Sequence, residues 1–184
     1  MNYENKYEYY KQIFNKNMET NDNLKEFLKN LSLYTNETIY IYGSILRSDY
    51  NPKSDTDICI FSDNINFVKK KLQNYLEVHE KRFKKTYWLL PKTKRLATGY
   101  KIFYKNKGKN IQVEISIYDT KYKEEILDEH YSKTILPFYA TILLYIIKFL
   151  HYNLEILNKK TYSEYKKIIL STGIGRKRDD FFVL

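Results

Sequence analysis

Cysteine is almost missing from this chain: one residue, Cys59, in 184. An intramolecular disulfide is impossible, and a reducing, intracellular compartment such as the cytoplasm is the expectation. Cys59 sits inside an apolar run, where a packed thiol is the ordinary role. Proline and glycine are also scarce, at 3 and 5, which excludes collagen-like and linker-like architectures. The three histidines, His79, His130 and His151, lack the close spacing that a zinc site needs. No apolar run reaches the ~20 residues that span a bilayer. The longest, Ile135 to Leu150, contains Pro137 and Lys148 and reads as a buried core helix. The first residues, MNYENKYEYY, are polar and show no signal peptide, so no membrane partner is expected.

What is abundant points elsewhere. Hydrophobic residues make up 43% of the chain, enough for a real core in one domain or a compact two-lobed one. Tyrosine is unusually common at 20. Lys, Asn, Ile and Tyr share A/T-rich codons, a bias that fits a virus, a parasite or a low-GC bacterium and has no bearing on mechanism. The net charge is +10. Basic clusters lie at Lys69–Lys71, Lys81–Lys85, Lys92–Arg95, Lys105–Lys109 and Arg176–Arg178. They suit a polyanion such as nucleic acid, or a nucleoside triphosphate; the plain alternative is a solvated, lysine-rich surface.

The chemistry concentrates between Ile39 and Phe61, IYIYGSILRSDYNPKSDTDICIF. An apolar run ends at Gly43-Ser44, ten residues follow, and Asp55 and Asp57 then open a second apolar run. This reads as strand, tight turn, short helix, strand. Gly43 has no Cβ, so the backbone can turn sharply and a ligand can approach closely. The amides at Gly43 and Ser44 and the Ser44 hydroxyl then stand at a helix N-terminus, where phosphate binds well. Asp55 and Asp57, two apart in a β run, leave the same face. Paired carboxylates repel unless a divalent cation offsets them, and Mg²⁺ prefers oxygen ligands. A phosphate cradle facing such a site is equipment for phosphoryl or nucleotidyl transfer.

These residues carry a resemblance. Gly43-Ser44, ten residues, then Asp55-Thr56-Asp57-Ile58 is similar to the signature of the DNA polymerase β-like nucleotidyltransferase superfamily. With Arg47 and Ser54 beside it, the segment looks most like the small, minimal members. The resemblance implies a third carboxylate on a later strand of the same sheet. Residues 111–118, IQVEISIY, alternate with period two and place Glu114 opposite the apolar side chains. Glu114 is thus the expected third carboxylate, a departure from the commoner aspartate.

The rest of the chain is read by periodicity and capping. Tyr3, Tyr7, Tyr10, Phe14 and Met18 predict an amphipathic helix over 3–18, and Leu24, Phe27, Leu28 and Leu31 a second over about 24–33. A helix over 65–79 carries His79 on its core stripe. Residues 86–90 and 98–104 predict strands, the latter pairing with 111–118 through the turn KNKGKN. Helices follow over 121–131, 135–152 and 161–170. Gly173-Ile174-Gly175 faintly resembles a helix-hairpin-helix turn; a loop before a packed aromatic end at Phe181 and Phe182 is the plainer reading. The expected fold class is α+β with α/β character: a nucleotidyltransferase palm, a short mixed sheet backed by helices, over residues 1–118, and a helical lobe over 119–184.

The resemblance implies a nucleotidyltransferase that moves a nucleoside monophosphate from an NTP donor to an acceptor hydroxyl, which the basic charge tilts toward RNA or DNA. Asp55, Asp57 and Glu114 would be catalytic and hold two Mg²⁺ or Mn²⁺ ions; Gly43, Ser44 and Arg47 would bind the nucleotide. Arg47 is equally readable as a surface residue. A different class of function is a non-catalytic binding module on the same fold, and the blandest reading is two exposed aspartates in a turn.

Overall fold

The computed structural model describes residues 12–19, 21–90 and 93–174. Helix α1 covers residues 12–18 and α2 covers Asp22–Thr35. The expected helix over 3–18 is seen in its second part; residues 1–11 lie outside the described residues. α2 begins where the Asn21 side chain accepts a hydrogen bond from the Leu24 amide, and it ends at Asn36 with a left-handed φ of 56°. Its stripe of Leu24, Phe27, Leu28 and Leu31 is buried, as the spacing predicts.

Five strands follow: β1 (Ile39–Tyr42), β2 (Thr56–Phe61), β3 (Lys84–Leu89), β4 (Leu96–Asn106) and β5 (Ile111–Tyr118). Helix α3 (Ile65–Tyr75) follows β2 and is capped by Asn64, which accepts from the Phe67 amide. The sheet order is β1-β2-β5-β4-β3, with β2 and β5 parallel and the other pairs antiparallel. The chain is thus α+β with a mixed sheet. β4 pairs with β5 through a turn at residues 107–110, as the KNKGKN turn predicts, and β5 lies beside β2, as the resemblance implies.

The period of two sorts the sheet into two faces. Ile58, Ile60, Val113, Ile115, Ile117 and Ile102 form the main core with α2 and α3. On the other face Tyr42, Cys59, Phe61, Tyr118 and Ala97 pack under Ile126 of helix α4 (Lys123–Ser132). Burial raises the Cys59 thiol far above its usual range, so the cysteine is a core residue without nucleophilic character.

Helices α5 (Phe138–Tyr152) and α6 (Lys159–Gly173) pack together through Leu144, Ile147 and Tyr162. α6 starts earlier than the sequence suggests, because Asn158 caps it by accepting from the Thr161 amide. Two expectations are corrected. His79 does not lie on a helix: α3 ends at Tyr75, Glu77 adopts a left-handed φ of 51°, and His79 is exposed in the following turn. The apolar run around α5 is not a buried core helix. Only Ala140, Leu144, Ile147 and Lys148 of α5 are buried, while Phe138 is 81% and Phe149 53% exposed. One side of α5 meets α6 and the loop before β2; the remainder of its apolar surface faces outward. No helix among the described residues is long and apolar enough to cross a membrane. Gly173 ends α6, whereas Gly175, Arg176–Arg178 and Phe181-Phe182 fall outside the described residues.

Candidate active site

The site lies at one end of the sheet face opposite the main core. β1 ends at Tyr42, and the chain turns at Gly43, whose φ is +82°. Gly43–Leu46 form a single 3-10 turn, in place of the short helix expected there. Tyr42 pairs with Asp57, and Asp57 pairs with Glu114 in parallel register. The aspartate strand and the glutamate strand are therefore neighbours, with both carboxylates leaving the same face. Asp55 stands just ahead of β2 on that side.

Gly43 is fixed by contact as well as by backbone angle. A Cβ built on it would stand 2.1 Å from Asp57 Oδ2. The left-handed φ and this close approach both demand glycine. Gly43→Ala is expected to displace the Asp57 carboxylate and to lower the melting temperature of the ligand-free protein, which differential scanning fluorimetry reads directly, and to remove any further shift that Mg²⁺ with a triphosphate gives the wild type. Retention of the wild-type melting temperature would show that the contact is not needed.

The electrostatics are those of crowded anions. Asp57 is half-buried, and its carboxyl is pushed up to about 7, first by burial, then by Asp55 and Glu114, against the pull of Lys166 from α6 and Lys101. Glu114 accepts an ion pair from Lys101 Nζ at 2.8 Å. Burial pulls Lys101 down, but Glu114 outweighs it and the ammonium is held above its usual value. Among the described residues, no three of His, Cys, Asp and Glu stand arranged to hold a metal ion. Glu114 engages Lys101, in the place where a cation would otherwise offset its charge. The donor set itself, all carboxylate oxygens with the crowded Asp57 at its centre, suits a hard divalent cation.

Arg47 is 5% exposed, and its Nε lies 2.7 Å from Asp49 Oδ1. Lys148 of α5 reaches the same carboxylate, 2.7 Å from Asp49 Oδ2, and donates to the Asp49 carbonyl at 2.6 Å. Burial lowers the Lys148 ammonium to about 8, with Asp49 opposing that fall. Burial raises Asp49, but Arg47 and Lys148 outweigh it and hold the carboxyl below its usual value. Around this triad the loop from Ser44 to Asp55 is gripped on both sides. Asn17 Nδ2 donates to the Ile45 and Arg47 carbonyls at 2.8 and 3.2 Å. Tyr145 donates to the Ser48 carbonyl, Lys53 Nζ donates to the Tyr152 carbonyl at 2.9 Å, and Ser54 Oγ donates to Tyr152 Oη at 3.4 Å. Ser44, Ser54 and Thr56 are buried.

The register thus brings together Gly43, Asp57 and Glu114, with Asp55 adjoining them, while Arg47 is turned into the triad beneath. Sequence reasoning missed Lys101, Lys166 and the Asp49–Lys148 pair. A signal existed for two of them: Lys148 is a lone charge in an apolar run, and Lys101 follows from alternation once the β4–β5 turn is placed.

Several solved structures resemble the chain. A cytoplasmic RNA terminal U-transferase aligns at TM-score 0.45 and 15% identity, over 88% of this chain and 53% of that one. The GLD-2/RNP-8 complex aligns at 0.42 and 14%, over 91% and 63%. The Cid1 poly(U) polymerase aligns at 0.41 and 14%, over 88% and 53%. The chain therefore spans between about half and under two-thirds of the length of these proteins. No curated protein matches the sequence. The family model for the nucleotidyltransferase domain matches residues 22–136, from the start of α2 to just before α5 and across the whole sheet. The chain belongs to the nucleotidyltransferase domain family.

Proposed function

We propose that this protein is a metal-dependent nucleotidyltransferase, transferring a nucleoside monophosphate from an NTP to an acceptor hydroxyl. The observation that supports this most is the parallel register of Asp57 with Glu114, beside a Gly43 whose missing Cβ makes room for the Asp57 carboxylate. Asp55, Asp57 and Glu114 would hold two Mg²⁺ or Mn²⁺ ions, whose charge would neutralise the triphosphate and acidify the acceptor hydroxyl. Gly43 and Ser44 hold the β- and γ-phosphates. The acceptor oxygen attacks the α-phosphorus, the bond from that phosphorus to the bridging oxygen breaks, and pyrophosphate leaves. The hydroxyl proton passes to Glu114 or Asp57, or to water. Arg47 acts through the loop, by fixing Asp49, rather than by reaching the phosphates. Residues 1–118 carry the chemistry, and within the helical lobe from 119 onward α5 braces the loop that connects Ser44 to Asp55.

One observation favours the alternative, a binding module on the same fold: the Lys101–Glu114 ion pair, which withholds the third carboxylate. A transfer assay separates the two. The protein is incubated with Mg²⁺ or Mn²⁺, each labelled NTP in turn, and a mixture of total RNA, single-stranded DNA and the protein itself. Label on one acceptor class, absent from the Asp55→Ala/Asp57→Ala variant, supports the enzyme. No label, together with no metal-dependent triphosphate binding, overturns it.

A further inference from the structure

The row of residues that contains the carboxylates does not stop at Glu114. Across the sheet it runs Tyr42, Asp57, Glu114, Phe103, one residue from each of four adjacent strands on one face. The Gly43-Ser44 turn lies at the β1 end of that row. An in-line displacement sets the attacking and leaving oxygens on opposite sides of the phosphorus. If the donor's β- and γ-phosphates sit at the β1 end, the acceptor approaches over β5 and β4. This step rests on the function proposed above.

What waits on that side is specific. Phe103 is 43% exposed. Alone this would mean little, because single exposed apolar side chains are common. Here cations surround it. Lys101 and Lys105 flank it on the same face, paired with Ser116 and Gln112 of β5. Lys84 lies across from Lys101 on β3 and is exposed. Arg82 donates to the Phe103 carbonyl at 2.9 Å and is exposed too. β3 begins at Lys84, so β4 has no paired strand on its outer side at Phe103 and beyond. Lys107 and Lys109 continue the charge into the turn, and neither β3 nor β4 contains an acidic residue. The Lys69–Lys71 cluster is partly engaged: Lys69 pairs with Glu80 at 2.7 Å, and Lys71 donates to the Thr35 carbonyl at 2.9 Å.

We infer that the face of β4 from Lys101 through Phe103 to Lys105 is the acceptor track, and that it takes a single-stranded nucleic acid whose 3′-terminal hydroxyl ends over Glu114. An exposed aromatic ring stacks an unpaired base, and cations spaced along a strand meet successive phosphates. Lys101 to Lys105 spans about 13 Å, the reach of a polymer backbone rather than of one small acceptor. A duplex offers Phe103 no free base face. A phosphodiester beside Lys101 also gives its ammonium a second anion and releases Glu114 toward the aspartates.

Fluorescence anisotropy with the full chain tests this without catalysis. The probes are a labelled single-stranded oligoribonucleotide, its deoxy counterpart and the matching duplex. Expected are tighter binding of single strands than of duplex, about tenfold weaker binding by Phe103→Ala, recovery by Phe103→Trp, and a salt slope reduced by about one in Lys105→Ala. Preference for either sugar supports the track and names the acceptor further. No single-strand binding, or equal binding by wild type and Phe103→Ala, overturns it. A protein that transfers label yet ignores Phe103 keeps the enzymatic reading and loses this one. A protein that binds oligonucleotides through Phe103 and transfers nothing does the reverse.

Discussion

Replacing Asp57 by asparagine is expected to lower the rate of the proposed transfer about a thousandfold or more, because it would remove charge from the carboxylates assigned to the metal. A variant with near-normal turnover would refute the role given to Asp57. The same substitution has an opposite effect on stability. Asp57 has a carboxyl raised from 3.8 to about 7 in the folded protein. A raised acid binds more protons folded than unfolded between those values, so its ionisation costs stability progressively as pH rises from about 4 to about 7. Metal-free Asp57→Asn is therefore expected to melt at a higher temperature than metal-free wild type at pH 7.5, with the difference vanishing near pH 4. Thermal melts across that range check the sign. The site is then a place where activity is kept at the expense of the empty fold.

The second large effect lies outside the row of carboxylates. Asp49→Leu leaves the Arg47 and Lys148 cations buried side by side with no carboxylate between them. Breaking a buried pair on one side costs about 3–5 kcal/mol, which for a chain of this size lowers the melting temperature by about 6–20 °C. The triple variant Arg47→Met/Asp49→Leu/Lys148→Met is expected to regain most of that loss, since removing all three charges leaves none stranded. If the single variant melts like wild type, the triad does not hold α5 to the loop. Regained stability without regained transfer would show that the ionic arrangement shapes the loop between Ser44 and Asp55.

The parts of this fold that were legible in the sequence are those fixed by short-range pattern. The stripe of Leu24, Phe27, Leu28 and Leu31 announces α2 by its spacing, and the alternation of residues 111–118 gives the strand and the face of Glu114. The signature around Asp57 then implied which strands must adjoin. The sequence offers Arg47 as a phosphate ligand or a surface residue, and its burial against Asp49 fits neither description. Nothing local reports that fact, because the partner that completes the triad is Lys148, brought in by tertiary packing. His79 failed for a related reason: a helical stripe extends on paper past the left-handed Glu77 that ends it. The exposure of Phe138 and Phe149 could not be read from hydrophobicity, which says what a side chain prefers and not what covers it.

The parallel pairing of β2 with β5 has a consequence for how activity is acquired. Between these two strands the chain must complete α3, β3 and β4. Contacts this distant in sequence form late, since the entropy of closing the intervening loop is lost before the pairing returns anything. On the ribosome, the Gly43 turn and both aspartates emerge long before Glu114 does. A nascent chain that stops within the β3–β4 hairpin carries both aspartates and lacks Glu114. Nucleotide transfer by this protein would therefore report completed folding, with no partially active species to be found along the way.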